Sequence, residues 1–403
     1  MSKTSSRPKL SSRAARMPAS PIRRLVPYAL EAIERGVSVY HLNIGQPDIP
    51  TPEAYFEALK KFPHKVVEYQ LSQGDLDYIK ALAGYYRGCG YEVDEKDILV
   101  TTGGSEAIIF AMQAVASPGE EILVFEPFYT NYAGYAVMSD VKLVPVTTSV
   151  ETGYHLPPRE EIESKITPQT RAILVCSPNN PTGTVLTREE MQTVAEIALR
   201  HDLFVISDEV YREFVYEGTH TGVLDLPEIA ERAIIMDSIS KRYSVCGARI
   251  GCLVSKNREL MDTFLKFGQA RLCSPSVEQF AAISLTKLGE DYFEQVREEY
   301  RMRRDVVVDA LNKVEGVVCH KPSGAFYIMA RLPVDDAEKF AKYMLSDFNL
   351  DGHTTMVAPG DGFYATRGKG TDEIRIACVL KKPNLEKAMN VLIEGLKQYR
   401  LQR

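Results

Sequence analysis

Between Ile98 and Val254 the chain repeats a short apolar run, at residues 98–101, 121–125, 142–146, 171–176, 203–207, 233–236 and 250–254, with helical or loop segments between the runs. Runs of this length, bounded by polar residues and turn formers, read as strands buried on both faces. Strands separated by crossovers predict an α/β fold: a mostly parallel seven-stranded sheet covered by helices on both sides. One crossover, 188–200, carries a capping-box signature in Thr187 and Glu190. Ahead of the repeat, residues 21–36 predict an amphipathic helix behind Pro21, and the proline- and glycine-rich stretch from Leu42 to Pro52 predicts a loop. Beyond it the pattern changes. A charged stretch from Asp291 to Arg304 predicts a long exposed helix, followed by a strand at Gly324–Met329, a helix near 335–347, strands near 355–358 and 373–379, and a last helix from Leu385. This second region is α+β. The expected division is an N-terminal arm at 1–20, a large domain at 51–290, and a smaller domain made of 21–50 and 291–403.

Composition supports this division. A chain of 403 residues exceeds the size at which one core stops growing, and 45% hydrophobic residues are enough for a sizeable core. No apolar run approaches the ~18 residues of a membrane helix, so no membrane partner is expected. A net charge of -6 gives no electrostatic reason to expect nucleic acid. The seven cysteines are odd in number and scattered, with no Cys-x-x-Cys pair. They read as free thiols in a reducing compartment, which implies a cytoplasmic protein without a metal site. The first thirty residues are basic, with Lys3, Arg7, Lys9, Arg13, Arg16, Arg23 and Arg24 preceding any acid. That composition is shared by organelle transit peptides. Without an amphipathic pattern the segment reads instead as an arm, solvated or packed on a partner subunit.

The chemistry-bearing residues fall just after the strands. Lys241 follows the run Ala233–Met236 within Ser238-Ile239-Ser240-Lys241, and Arg249 comes eight residues later. A lysine at a strand's carboxyl end can form a Schiff base with an aldehyde, and Ser238, Ser240 and Arg249 are donors suited to a phosphate. The same pattern also fits a solvated surface loop. Thr102-Gly103-Gly104-Ser105-Glu106 is a glycine turn opening a helix, which suits an anion or merely caps the helix. It is neither a Walker loop nor a dinucleotide fingerprint. Asn180 and Asp208-x-x-Tyr211 likewise end strands. A carboxylate there can keep a pyridine nitrogen protonated, while a tyrosine and an asparagine bind a ring oxygen. Asp208 as a cap and Tyr211 as core packing remain the alternatives.

Asn180-Pro181-Thr182-Gly183, Asp208-x-x-Tyr211, Ser238-x-Ser240-Lys241, Arg249-Ile250-Gly251 and Ile374-Arg375-Ile376, in this order and spacing, resemble the class I aminotransferases of pyridoxal 5'-phosphate fold type I, the aspartate aminotransferase family. The resemblance spans about residues 20–400. It implies a homodimer that moves an amino group between an L-amino acid (aspartate-like, alanine or aromatic) and a 2-oxo acid such as 2-oxoglutarate, by ping-pong exchange. Lys241 would hold the cofactor as a Schiff base and shuttle the proton. Asp208 would pair with the ring nitrogen, and Tyr211 and Asn180 with the ring oxygen. Gly104, Ser105, Ser238 and Arg249 would hold the phosphate, with Glu106 and Ser240 among the cofactor contacts and Tyr69 reaching in from the partner subunit. Tyr129 would stack on the ring. Arg375 would clamp the substrate α-carboxylate, helped by Asn180 and Gly45. A lyase or decarboxylase on the same fold would use the same cofactor residues; a cofactor-sensing regulator would need a DNA-binding domain for which the residues before Asn43 are too few. Some aspartate-specific members carry a lysine where Ser105 stands, and this chain lacks it, so the resemblance leaves dicarboxylate specificity open; an acidic side chain would need another cation. Arg271 is the nearest candidate, with a structural arginine at a helix end as the alternative reading.

Overall fold

The computed structural model describes residues 8–402, so Lys3 and Arg7 of the basic arm lie outside the described residues. In chain order its strands are β1 Ser38–His41, β2 Ile98–Thr101, β3 Glu121–Glu126, β4 Lys142–Thr147, β5 Thr170–Cys176, β6 Phe204–Asp208, β7 Ala233–Ser238, β8 Gly251–Val254, β9 Tyr327–Arg331, β10 His353–Met356, β11 Ala358–Pro359 and β12 Glu373–Ala377. Seven of them form the large sheet, in the order β2-β8-β7-β6-β5-β3-β4.

The sheet is buried on both faces because its strands are apolar at successive positions. Side chains alternate across a strand. Thus Leu123, Val205 and Ile235 pack into one cluster, while Ile122, Ile206 and Ile234, one residue away on the same three strands, pack into another on the opposite face. The helix Gly103–Val115 contributes Ala107, Ile108 and Ala111 to the second cluster, and the helix Arg188–Arg200 contributes Met191, Val194 and Ala195 to the first. The expected capping box starts the latter helix, with Thr187 N–H donating to Glu190 and Glu190 N–H donating back to Thr187. Pro145, which has no N–H for a ladder bond, sits in the edge strand β4.

The parallel pattern has one exception. β8 runs antiparallel to both β7 and β2. The excursion between β7 and β8, Ile239–Ile250, holds only the short helices Ile239–Arg242 and Cys246–Ala248 and no long crossover helix of the kind that usually joins parallel strands. Because β2 and β7 both oppose β8, they run in the same direction, and the carboxyl ends of β2, β5, β6 and β7 share one rim.

A second core lies beyond this sheet. β9 and β12 pair antiparallel, with β11 on the other side of β12, and the helices Glu290–Leu311, Ala337–Ser346 and Lys382–Leu401 pack against them. Leu25, Ala29 and Leu42 from the N-terminal part bury in the same cluster. Several element limits differ from the sequence reading. The helix expected at 21–36 begins at Val26, after a run of turns, with Pro27 in its first turn. The strand expected from Gly324 begins at Tyr327. Gly324 makes an isolated antiparallel bridge to Val215, where a side chain would meet Phe214 O at 2.6 Å, and Ala325 follows in a bend with φ 51. The strand expected at 355–358 is two, β10 and β11. β1 was not foreseen; it pairs parallel with β10, and its exposed-intermediate-intermediate-exposed burial leaves no apolar alternation to read.

Candidate active site

The shared rim of β2, β5, β6 and β7 meets the second core at a cavity of about 390 Å³. Every site residue expected from sequence lines it except Tyr69, Glu106 and the candidate Arg271: Gly45, Gly104, Ser105, Tyr129, Asn180, Asp208, Tyr211, Ser238, Ser240, Lys241, Arg249 and Arg375. Residues separated by up to 330 positions thus converge because the strands end together and β12 approaches from the second core.

Lys241 stands on the one-turn helix Ile239–Arg242, whose cap is Ser238. Its Nζ donates to Gly45 O at 2.8 Å and lies 3.7 Å from Cys246 Sγ. Gly45 must be glycine here, because a Cβ would sit 1.8 Å from Tyr327 Oη.

Asp208 ends β6 and is 5% exposed. It accepts hydrogen bonds from Tyr132 Oη and from Val210 N at 3.2 Å, but has no cationic partner among the described residues. Burial therefore dominates and pushes its carboxyl from 3.8 up to about 6. A protonated ring nitrogen beside it would favour the carboxylate, and the carboxylate would in turn favour that proton. Tyr211 Oη lies 2.8 Å from Tyr327 Oη; burial raises the Tyr211 pKa well above the usual phenol value, so its hydroxyl keeps its proton at neutral pH.

Arg375 lies in the middle of β12, only 1% exposed. Its guanidinium donates to Asn180 Oδ1 at 3.1 Å and to Asn43 O at 2.5 Å, and it lies between the rings of Tyr327 and Phe363, with centroids at 4.7 and 4.8 Å. No carboxylate among the described residues pairs with it, and Nε has no hydrogen-bond partner. Burial without a counter-ion lowers its pKa.

The remaining residues form an anion cradle. The helix Gly103–Val115 presents its amino end to the cavity with Gly104 and Ser105, so its free N–H groups and dipole face inward. Arg249 reaches the same place from a left-handed turn at φ 56. Glycine is favoured at two points, by the left-handed backbone of Gly103 (φ 73) and by the close backbone packing at Gly251. A Cβ on Gly103 would lie 2.4 Å from Arg249 Nη2, and one on Gly251 would lie 2.5 Å from the backbone carbon of Gly103. Ser238 Oγ meets Ser240 Oγ at 2.7 Å and donates to Ile250 O.

Three expected residues stand apart. Tyr69 is 80% exposed and lines a separate groove together with Thr102 and Arg271. The Glu106 carboxylate accepts from Thr102 N at 2.9 Å and pairs with Arg271 Nε at 3.2 Å, outside the cavity. Arg271 also donates to Val100 O at 3.0 Å, so its charge is already partnered within the chain.

A family model described as aminotransferase class I and II matches residues 37–392. The chain belongs to the class I and II aminotransferases. An aromatic-amino-acid aminotransferase of Thermococcus litoralis is 32% identical over 402 residues, 97% of this chain and 99% of that protein. A double mutant of Thermus thermophilus aspartate aminotransferase superposes with a TM-score of 0.88 at 29% identity, over 96% of this chain and all of that one. Alanine aminotransferase from Pyrococcus furiosus superposes with the same TM-score, at 29% identity over 97% of this chain and 100% of its own.

The cofactor of this aminotransferase is pyridoxal 5'-phosphate. The residues present fit it: a glycine-walled cradle with an arginine for the phosphate, a buried carboxylate lacking a cation for the ring nitrogen, a tyrosine hydroxyl for the ring oxygen, and a lysine amine beside them. When bound, the cofactor supplies an aldehyde for a Schiff base and a ring that accepts electrons from a broken Cα–H bond.

The sequence reading missed three tyrosines of the aminotransferase site. Tyr132 donates to Asp208, Tyr135 Oη donates to Ser105 Oγ at 2.8 Å, and Tyr327 stacks on Arg375. The first two were detectable, since Tyr132 and Tyr135 stand three residues apart on the helix Asn131–Ser139 and so share a face.

The raised Asp208 carboxyl makes a prediction for the cofactor-free protein. Its folded pKa, about 6, exceeds the unfolded value near 3.8. The stability it contributes is therefore whole below the unfolded pKa and lost as pH rises through about 6, a change of roughly 3 kcal/mol. Asp208→Asn should remove that dependence. In denaturant unfolding of the cofactor-free protein between pH 4 and 7.5, the variant should gain on wild type as pH rises; parallel curves would mean that Asp208 does not titrate in this window.

Proposed function

We propose that this aminotransferase takes its amino group from an L-amino acid of the aspartate-like, alanine or aromatic kind and passes it to a 2-oxo acid such as 2-oxoglutarate. Arg375 carries the reading. A guanidinium buried without a carboxylate is costly, and breaking a buried pair typically costs ~3–5 kcal/mol. A substrate α-carboxylate restores the missing partner, with Asn180 already fixing the guanidinium plane. Carboxylate capture at Arg375 orients the substrate Cα toward Lys241, whose free amine then takes the Cα proton as general base and returns it as general acid. Asp208 holds positive charge at the ring nitrogen. Tyr211 and Asn180 bind the ring oxygen, Tyr129 lies against the ring, and Gly104, Ser105, Ser238, Ser240 and Arg249 hold the phosphate. The Glu106 carboxylate cannot usefully face a phosphate, so any contact there falls to its backbone N–H.

The substrate range is a proposal by similarity, since relatives bear aspartate, aromatic and alanine aminotransferase names. Mixing wild-type holoenzyme with one amino acid at a time, without acceptor, should convert the cofactor chromophore once and stop, and Lys241→Ala should slow Cα proton removal by at least ~10³-fold. Sustained release of ammonia or CO2 without a 2-oxo acid would instead mark a lyase or decarboxylase.

We further propose a homodimer whose sites are shared, with the domain division at residues 1–20, 51–290, and 21–50 with 291–403. Val66, Val67, Tyr69, Leu71 and Leu272 are apolar or aromatic yet 51–80% exposed, and Val67 and Tyr69 line one groove with Arg271 and Pro275. Such a surface suits a second copy. Among the described residues no helix is long and apolar enough to cross a membrane. Free thiols at all seven cysteines favour the cytoplasm. The dimer reading predicts complementation. In a mixed dimer of Tyr69→Ala and Lys241→Ala chains, one site carries both lesions and the other carries neither, so activity should exceed that of either parent dimer. Confirmed heterodimers without recovery would place each site within a single chain.

A further inference from the structure

Residues 43–51 run from the second core to the large domain past two groups that the proposed reaction uses. They form neither helix nor strand, and among the described residues they make no backbone-to-backbone hydrogen bond. Just before them Leu42 is fixed in the second core, its N–H donating to Met356 O and its carbonyl accepting from Ala377 N. The loop's own carbonyls face the chemistry: Asn43 O accepts from Arg375 and Gly45 O accepts from Lys241. Neither bond is a constant anchor. Under the reading proposed above, Lys241 is engaged in its Schiff base for part of each turnover, and Arg375 must also meet the substrate carboxylate. The loop therefore depends on what else holds it.

Two of its side chains tie it down. At the far end Thr51 Oγ1 donates to Ser244 O at 2.6 Å. The nearer tie is three residues from Gly45, where Asp48 Oδ1 accepts from Arg303 Nη1 at 2.5 Å. Arg303 is a rigid partner: its side chain is 3% exposed, its Nε donates to Glu299 at 2.7 Å, and its guanidinium lies over the Tyr300 ring, 5.2 Å from the centroid. It stands on the helix Glu290–Leu311, which packs Phe293 into the large domain's core and Tyr300 and Val307 into the second. A guanidinium fixed in this way holds a carboxylate by a charge-assisted bond of defined direction. Between Asp48 and Gly45 the chain has little slack. Pro47 is buried, its ring fixes its own φ, and it restricts Gln46 before it, while Gly45 is wedged against Tyr327.

We propose that Asp48 is a positioning residue for the proton transfer: paired with Arg303, it holds the Gly45 carbonyl where that oxygen aims the released Lys241 amine at the substrate Cα. The proposal rests on Lys241 moving the Cα proton. A lysine side chain is long and flexible, so a free amine needs an acceptor to keep it directed into the cavity. Gly45 O, 2.8 Å from Nζ, is that acceptor. Misplacing a reacting group by about 1 Å can slow a reaction ~10²-fold, so a loop released at Asp48 impairs the chemistry although no group touching cofactor or substrate has been removed. Neither Asp48 nor Arg303 lines the cavity, which separates their part from that of the residues in contact with the reaction.

The test uses holoenzymes of wild type, Asp48→Asn, Asp48→Glu, Arg303→Met and the double variant Asp48→Asn with Arg303→Met. Half-reactions are followed in single turnover with L-aspartate, L-alanine and L-phenylalanine, each with protium or deuterium at Cα, and rates are expressed per bound cofactor. On the fastest of the three substrates, Asp48→Asn should lower the saturated rate ~10-fold or more and change the half-saturating concentration by less than ~3-fold. Deuterium should slow the variant at least as much as it slows wild type, which marks proton removal as the impaired step. Asp48→Glu, which keeps the charge, should stay within ~3-fold of wild type. Because the pair acts as a unit, Asp48→Asn should slow the Arg303→Met enzyme by less than ~2-fold. If Arg303→Met does not fold, the two Asp48 variants decide alone, since Asp48 is exposed and its substitutions should leave cofactor content and melting temperature unchanged. A saturated rate per bound cofactor equal to wild type, a loss confined to the half-saturating concentration, or an equal loss with and without Arg303 overturns the assignment and leaves the aminotransferase reading intact. No half-reaction of wild type with any of the three amino acids removes that reading, and the proposal with it.

Discussion

Two buried charges lack partners of their own in this protein, and the architecture is arranged to hold them. Arg375 is 1% exposed in β12, between two aromatic rings, and no carboxylate of the described chain meets it. Asp208 is nearly as deep at the end of β6 and meets no cation. Left to itself each charge is unfavourable, since burial penalises the ionised form. Both sit on strands of two separate cores, where rigid backbone and fixed hydrogen bonds from Tyr132 and to Asn180 hold the side chains in place at the cavity wall. The site is thus preorganised for a molecule carrying the complementary charges, an anion toward β12 and a cation toward β6.

The large sheet supplies the geometry that makes this possible. β2, β5, β6 and β7 end at one rim, which brings Gly104, Asn180, Asp208 and Lys241 to a single cavity without any of them lying close in sequence. The antiparallel β8 completes the arrangement. By returning at once from β7, it delivers Arg249 on a left-handed turn and presses Gly251 against Gly103, so the helix that begins there is held with its amino end toward the cavity. The second core contributes Arg375 and Tyr327 on adjacent antiparallel strands. The N-terminal segment, tied through Arg16 to Asp140 on the large domain and through Arg24 to Glu338 and Asp361 on the second core, bridges the two bodies.

Much of this was legible in the sequence, for an identifiable reason. Strands buried on both faces print their position directly as apolar runs, so all seven strands of the large sheet were found with their carboxyl ends, and with them Asn180, Asp208 and Lys241. Strand direction leaves no such print, and the antiparallel course of β8 went unread. β1 was missed because it is half exposed and pairs with β10, more than three hundred residues away. Tyr327 reads as one more apolar residue in a strand; only the register opposite Ala377 brings its ring beside Arg375. Arg23, which lines the cavity, was read as part of a basic arm because charge content along a segment does not reveal which cation faces a cavity. Tyr69 and Arg271 share a groove apart from the cavity, and no pattern along the sequence shows which groove a side chain will line.

The most direct test of the account is whether the substrate carboxylate is what Arg375 is there to meet. The measurement is the rate of the half-reaction for L-phenylalanine and for phenethylamine, its counterpart without the carboxylate, in wild type and in Arg375→Met. Methionine fills space without charge, and replacing a buried ion by an apolar side chain is often neutral for stability. The account predicts that wild type prefers the amino acid by ~10²-fold or more and that the variant loses most of that preference by slowing on phenylalanine alone. A preference ratio unchanged in Arg375→Met would contradict it.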